Sequence, residues 1–101
     1  MKVFCVYILK CSDNSFYTGM TSNIESRILA HNEGKYPDCY TFDKRPLELV
    51  FYQEFQSFDQ AMLWEKKIKG WSRKKKLALI EERWDDLQKY SKNYTQYGKP
   101  E

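Results

Sequence analysis

Residues 3–9, VFCVYIL, are apolar without interruption and rich in residues that suit a pleated surface. A run of this length with no polar face is the pattern of a strand covered on both sides. SDNS follows at residues 12–15, where Asp13 and Asn14 can bond their own backbone in a turn. FYTGM then resumes strand character. The two runs predict an antiparallel hairpin, and everything else in the chain must be arranged around it.

LELVFYQEF, residues 47–55, predicts a third strand. The stretch between Gly34 and Pro46 carries Pro37, Asp38 and Asp43 and reads as a loop. Helices are marked by their caps. Ser22 and Glu25 have the spacing of a capping box, with Gly34 as the stop. Ser57 and Gln60 repeat the device, with Gly70 as the stop, and Ser72 caps a third helix. In that helix Leu77, Ile80, Trp84 and Leu87 keep helical spacing. The expected order is β-β-α-β-α-α, an α/β fold in which helices flank a small three-stranded antiparallel sheet. At 101 residues the prior is one domain. Its expected extent is 1–90, with 91–101 an irregular C-terminal tail that lacks a sustained period.

Composition narrows the function. The three cysteines, Cys5, Cys11 and Cys39, are odd in number and widely spaced. That is neither a disulfide scaffold nor a zinc pattern, and reduced intracellular thiols are expected. The N-terminal apolar run is too short to span a membrane and no small-residue cleavage site follows it, so a cytoplasmic protein is expected. The net charge of +3 is mild, but it is unevenly spread. Residues 65–76, EKKIKGWSRKKK, hold seven Lys/Arg and one Glu.

Two helices carry polar residues where apolar ones are expected. At about 100° per residue, Ile24, Arg27, Ile28 and His31 share a stripe. Phe58, Ala61, Trp64 and Ile68 form another, and Glu65 falls inside it. A carboxylate there is costly unless paired, hydrated or bound to metal. Two readings stand. In the structural one Arg27 snorkels over the isoleucines, His31 ends its helix and Glu65 fastens two helices by pairing with Arg27. In the other, these groups face a substrate. The tyrosines divide the same way, since Tyr7 and Tyr17 can simply pack. The basic run also has two readings. Arg73, Lys74, Lys75 and Lys76 fill the first turn of a helix, where cations are disfavoured. They are a solvated charge run, or with Trp71 they grip a nucleic acid, the lysines contacting phosphates and Trp71 stacking on a base.

The ordered set of these residues resembles the GIY-YIG nuclease domain, in its small stand-alone UPF0213 form and in the N-terminal domain of the excision-repair excinuclease. The naming triplets stand as VYI (Val6 to Ile8) and YTG (Tyr17 to Gly19), joined by a short turn. Arg27 matches the family's arginine, and His31 the Tyr/His position four residues later. HNEGK, CYT at Cys39 to Thr41, RPLELVFYQEF and AMLWEKKIKGWSRKKKLALI continue the pattern, with Glu65 at the metal-binding position. The likeness covers about residues 3–82. Val6 replaces the first glycine, Met20 stands where excision-repair members have lysine, and the late asparagine is unmatched near Leu77.

The resemblance implies a metal-dependent endonuclease that hydrolyses DNA phosphodiester bonds, branched or single-stranded DNA included and RNA not ruled out. The alternatives are a non-catalytic nucleic-acid-binding module and a protein-interaction domain. It implies catalytic roles for Tyr7, Tyr17, Arg27, His31 and Glu65, and substrate positioning by Gly19 and Tyr40. Glu65 would hold one Mg²⁺ or Mn²⁺, weakly in the absence of substrate, because Mg²⁺ keeps waters and uses substrate phosphates.

Overall fold

The computed structural model describes residues 3–82. Its elements are β1 (Phe4–Lys10), β2 (Phe16–Thr21), α1 (Ile24–Asn32), β3 (Glu48–Phe55), α2 (Phe58–Lys69) and α3 (Arg73–Ile80), with a short 3₁₀ turn at Phe42–Lys44. The chain divides into two compact units, Met1–Lys69 and Gly70–Glu101. Trp84, Leu87 and the tail expected from residue 91 lie outside the described residues.

The sheet is antiparallel in the order β2-β1-β3. The uninterrupted apolar run is therefore the central strand. Val6, Tyr7, Ile8 and Leu9 are all fully buried. Burying each such side chain contributes about 1.5–3 kcal/mol. Asn14 supplies the left-handed residue of the hairpin turn, with φ 69°. The turn is closed by the Cys11 amide donating to the Ser15 carbonyl at 2.8 Å. The Asp13 carboxylate accepts from the Ser15 amide at 3.0 Å and pairs with Lys44 at 2.7 Å.

Alternation along β1 sorts its side chains between two faces. Tyr7 and Leu9 share one face with Cys11 and Leu47, and Ile24 and Ile28 of α1 pack onto that group together with Tyr17 and Leu49. β3 joins this face through a bulge. Ile8 lies opposite Phe51 but Leu9 lies opposite Leu49, so the extra residue Val50 brings Leu49 to the face of Leu9. Phe4 shares the parity of Val6 and Ile8, and it meets Phe58 of α2 edge to face at 5.6 Å. The two helices thus pack on opposite faces of the sheet.

The first cap differs from expectation. Asn23, rather than Ser22, caps α1, and its side chain accepts from the Ser26 amide at 3.1 Å. The helix begins one residue late because Thr21 is still in β2, where its hydroxyl accepts from the Asn23 amide at 3.1 Å. The residue three beyond the cap is then Ser26, so Glu25 cannot complete a capping box. Ser57 and Ser72 cap α2 and α3 as expected, each accepting at 3.2 Å, from the Gln60 and Lys75 amides respectively. Gly34 ends α1 in the left-handed conformation, φ 73°. Its amide donates to the His31 carbonyl, and that of Lys35 to the Ala30 carbonyl.

Candidate functional site

The α1 stripe does bring its polar members to the sheet. Ile24 and Ile28 anchor the helix on the Tyr7–Leu9 face, and this carries His31, one turn on, into the interior at 3% exposure. Tyr7 Oη lies 3.3 Å from His31 Nε2. On its other side His31 Nδ1 lies 3.0 Å from Thr41 Oγ1. The Thr41 hydroxyl in turn donates to Cys39 Sγ at 3.4 Å. Aromatic rings enclose the imidazole: Tyr17 at 5.4 Å between centroids, Tyr36 at 5.0 Å and Tyr7 at 6.4 Å.

Gly19 makes the arrangement possible. It lies opposite Tyr7 in the β1–β2 ladder. A Cβ at Gly19 would lie 2.5 Å from Tyr7 Oη and 2.6 Å from Cζ. The tyrosine ring therefore lies over bare backbone, and the glycine is required by close approach. Tyr40 stacks on Tyr17 with 15° between planes and a 6.5 Å separation, and Lys44 Nζ sits 4.8 Å over the Tyr40 ring.

Arg27 is half-buried and its guanidinium lies 5.6 Å over the Tyr36 ring. It also borders a cavity of about 430 Å³ lined with Asn23, Ser26, Lys35 and Tyr36. Burial pushes the Tyr7 hydroxyl up to about 12, while the charge of Arg27 and a side-chain hydrogen bond from it act in the opposite direction. Burial likewise raises Tyr17, with Cys39 adding to the rise. His31 is pushed down, first by burial and then by Arg27. The imidazole is therefore held neutral, and the same two effects make it a weaker base than a free imidazole. Burial alone would raise the Cys39 thiol. Hydrogen bonds from the Thr41 hydroxyl and amide, Tyr17 and the Tyr40 amide outweigh it, and the net direction is down.

Glu65 stands apart from this cluster. It lies on the inner line of α2 with the buried Ala61 and Ile68, whereas Trp64 is 38% exposed and Phe58 47%. The carboxylate side chain is 17% exposed and pairs with Lys69, one turn on, at 3.1 Å. The helix-to-helix pair with Arg27 that one reading of the sequence anticipated is not formed. An i,i+4 surface pair of this kind is weak, about 0.3–0.5 kcal/mol, so it leaves the carboxylate available to a stronger partner. Among the described residues no three His, Cys, Asp or Glu side chains gather to hold a metal ion. One accessible hard oxygen donor still fits an ion that takes its other ligands from water and phosphate.

The basic helix start is not a uniform face. Lys75 is buried at 5% exposure, with Nζ 4.2 Å over the Trp71 ring. Burial lowers Lys76, which is half-buried, while Arg73 and Lys74 are exposed. Trp71 is thus engaged by Lys75 within its own segment.

Three contributors to the cluster, Tyr36, Cys39 and Thr41, had no assigned role in the sequence. Their segment has neither strand nor helix period. The one available signal was CYT as a short family-like pattern, which gives no direction for the side chains.

The GIY-YIG catalytic domain model matches residues 3–78. A UPF0213 protein of Staphylococcus haemolyticus is 53% identical over 78 residues, covering 77% of this chain and 94% of the relative. One from Syntrophus aciditrophicus is 47% identical over 77 residues, covering 76% and 88%. Among solved structures, the UPF0213 protein of Bacillus halodurans has a TM-score of 0.52 at 42% identity, covering 78% of this chain and 83% of that one. An E. faecalis protein structure has a TM-score of 0.57 at 30% identity, covering 80% and 85%. The triplet strands, the arginine–histidine helix and these matches agree: the chain belongs to the GIY-YIG nuclease family, among its UPF0213 members.

Proposed function

We propose that this protein is a metal-dependent endonuclease that hydrolyses phosphodiester bonds in DNA. The observation that carries the reading is the Tyr7–His31 hydrogen bond beside the Arg27 guanidinium. Phosphodiester hydrolysis needs an activated water and charge relief at phosphorus. A phenol raised to about 12 is a poor base by itself. Neutral His31 can accept the Tyr7 proton on Nε2 in the same step in which the Tyr7 oxygen takes a proton from water, so no free phenolate forms, and the water oxygen attacks phosphorus. Arg27 binds a non-bridging phosphate oxygen, and its planar fork is suited to that contact. Tyr17 and Tyr40 orient the strand, and Gly19 makes room for the Tyr7 ring beside His31. Glu65 would hold a divalent ion from α2, which when bound would supply charge neutralisation to phosphate.

Purified protein is expected to nick or cut supercoiled, branched or single-stranded DNA with Mg²⁺ or Mn²⁺ and to stop with chelator. The family domain takes up residues 3–78, and low sequence selectivity is expected of it by itself. Arg27→Ala, Tyr7→Phe and Glu65→Gln, prepared in parallel, should each lower the rate by about a hundredfold or more while leaving the domain folded. Equal cutting by wild type and folded variants would assign the activity elsewhere. DNA binding without scission would favour a phosphate-gripping module instead. Absence of both would favour a protein-interaction domain. Since α1 and α2 lie on opposite faces of the sheet, Glu65→Gln also tests whether Glu65 acts with the Arg27 cluster at all.

A further inference from the structure

Thr41 occupies the residue before the 3₁₀ turn Phe42–Lys44, where a threonine hydroxyl ordinarily turns back to bond the first free amides. It does not do so here. Its side chain makes no capping hydrogen bond, is 1% exposed, and instead points inward at His31. The backbone around it is satisfied without it: Phe42 N donates to Cys39 O and Lys44 N to Thr41 O, each at 3.0 Å. A buried hydroxyl diverted from a cap to a histidine fixes something other than the turn.

The direction of the bonds shows what it fixes. A hydroxyl has one proton and can accept on its lone pairs. Of the Thr41–Cys39 pair, 3.4 Å apart, the hydroxyl is the stronger donor and the thiol only a weak one, which assigns the Thr41 proton to Cys39 Sγ. Its oxygen is therefore an acceptor toward His31 Nδ1 at 3.0 Å, which places the imidazole proton on Nδ1. Nε2 is left with its lone pair 3.3 Å from Tyr7 Oη, so the phenol must be the donor. The opposite tautomer would aim an Nε2–H at Tyr7, and His31 could then take no proton from it.

We propose that Thr41, anchored by Cys39, is the positioning residue that holds His31 in the Nδ1–H tautomer and so reserves Nε2 for the Tyr7 proton. In a catalytic step the Tyr7 O–H bond breaks and an Nε2–H bond forms, while the Nδ1 proton stays on its bond to Thr41. The relay then runs back: the imidazolium returns its Nε2 proton to the Tyr7 oxygen as that oxygen passes its own proton to the departing alkoxide, and both groups end as they began. Thr41 touches neither substrate nor water. Its catalytic consequence rests on the nuclease reading; the tautomer does not.

His31 is the one histidine in the chain, so its ring nitrogens can be assigned without ambiguity by nitrogen-15 NMR of the purified protein. Wild type is expected to show a protonated Nδ1 and a bare Nε2 at pH values above the imidazole's titration. Thr41→Ser, which keeps the hydroxyl, should retain that pattern. Thr41→Val, which keeps the shape, should lose it. Cleavage should fall at least tenfold in Thr41→Val and recover in Thr41→Ser, with the variant's pH–rate profile altered rather than scaled. The other groups facing His31 are Tyr7 from β1, Tyr17 from β2, Arg27 from α1 and Tyr36 from the connecting segment, with Cys39 on the far side of Thr41, and all are unchanged in these variants. An Nε2–H tautomer in wild type overturns the proposal, whether or not Thr41→Val folds. So does an unchanged Nδ1–H tautomer in folded Thr41→Val. A wild type with the expected tautomer that cuts no DNA upholds the positioning of His31 and defeats the nuclease reading, so the two failures are told apart.

Discussion

Adding one methyl group at Gly19 tests the packing that creates the site. In Gly19→Ala the new Cβ would stand 2.5 Å from Tyr7 Oη, 2.6 Å from Cζ and 3.1 Å from Cε1. Ordinary contact begins at 3.4 Å, so the phenol end must withdraw by about 0.9 Å. Tyr7 has nowhere easy to go: it is fully buried in the central strand, packed with Leu9, Ile24 and Ile28. Overpacking of this kind costs about 1–3 kcal/mol. Replacing a strand glycine by alanine recovers about 0.5–1 kcal/mol of backbone entropy. The net expectation is a loss of up to about 2.5 kcal/mol, read as a lower urea midpoint at unchanged slope. A withdrawal of that size also breaks the 3.3 Å Tyr7–His31 bond unless His31 follows. Loss of the Tyr7–His31 contact in the variant's NMR spectra should therefore accompany the lower midpoint. A variant as stable as wild type, with that contact intact, would refute the packing argument.

His31 also predicts a pH dependence of stability. Its folded value lies below the ordinary 6.5 because burial and Arg27 disfavour the cation. Below 6.5 the unfolded chain gains a proton that the folded chain refuses, so stability is complete above that pH and falls beneath it, by at most about 1.4 kcal/mol per pH unit from this group. Urea midpoints of wild type and His31→Gln across this range should diverge on the acid side, and parallel curves would refute it. Asn32 links the end of α1 to the start of β3. Its Oδ1 accepts from the Leu47 amide at 2.7 Å and its Nδ2 donates to the Leu47 carbonyl at 3.2 Å. Asn32→Ala should cost about 1–3 kcal/mol by leaving both backbone groups without these partners, and a urea midpoint unchanged from wild type would contradict that.

Much of the architecture was legible because it rests on local rules. The unbroken apolar run from Val3 to Leu9 had to be a central strand, since no face of it could be left to water. The serines at 57 and 72 announced their helices because capping is decided within three residues. The stripe Ile24–Arg27–Ile28–His31 followed from helical geometry alone, and it fixed which helix face would meet the sheet. It also singled out Arg27 and His31, whereas Tyr7 and Tyr17 were picked out by the resemblance to the family's triplets. The α1 cap was not settled in this way. Ser22 and Asn23 are both good caps, and the choice depended on how far β2 stayed paired with β1, a contact between Cys5 and Thr21.

The site's second layer was decided by tertiary structure. Cys39 and Thr41 belong to a segment without period, and no sequence rule aims their side chains. They reach His31, ten residues from Thr41, because the chain folds back after Gly34. Gly19 reads in sequence as a weak strand residue. Only the register, which sets it opposite Tyr7, shows that its missing Cβ makes room for the phenol. Likewise RKKK reads as one charged face, whereas Lys75 is folded over Trp71 and Arg73 and Lys74 remain exposed. Sequence determines what a segment does with its own neighbours. Which distant groups share a proton depends on sub-ångström packing, and that is set only when the sheet register and the helices' seats are fixed together.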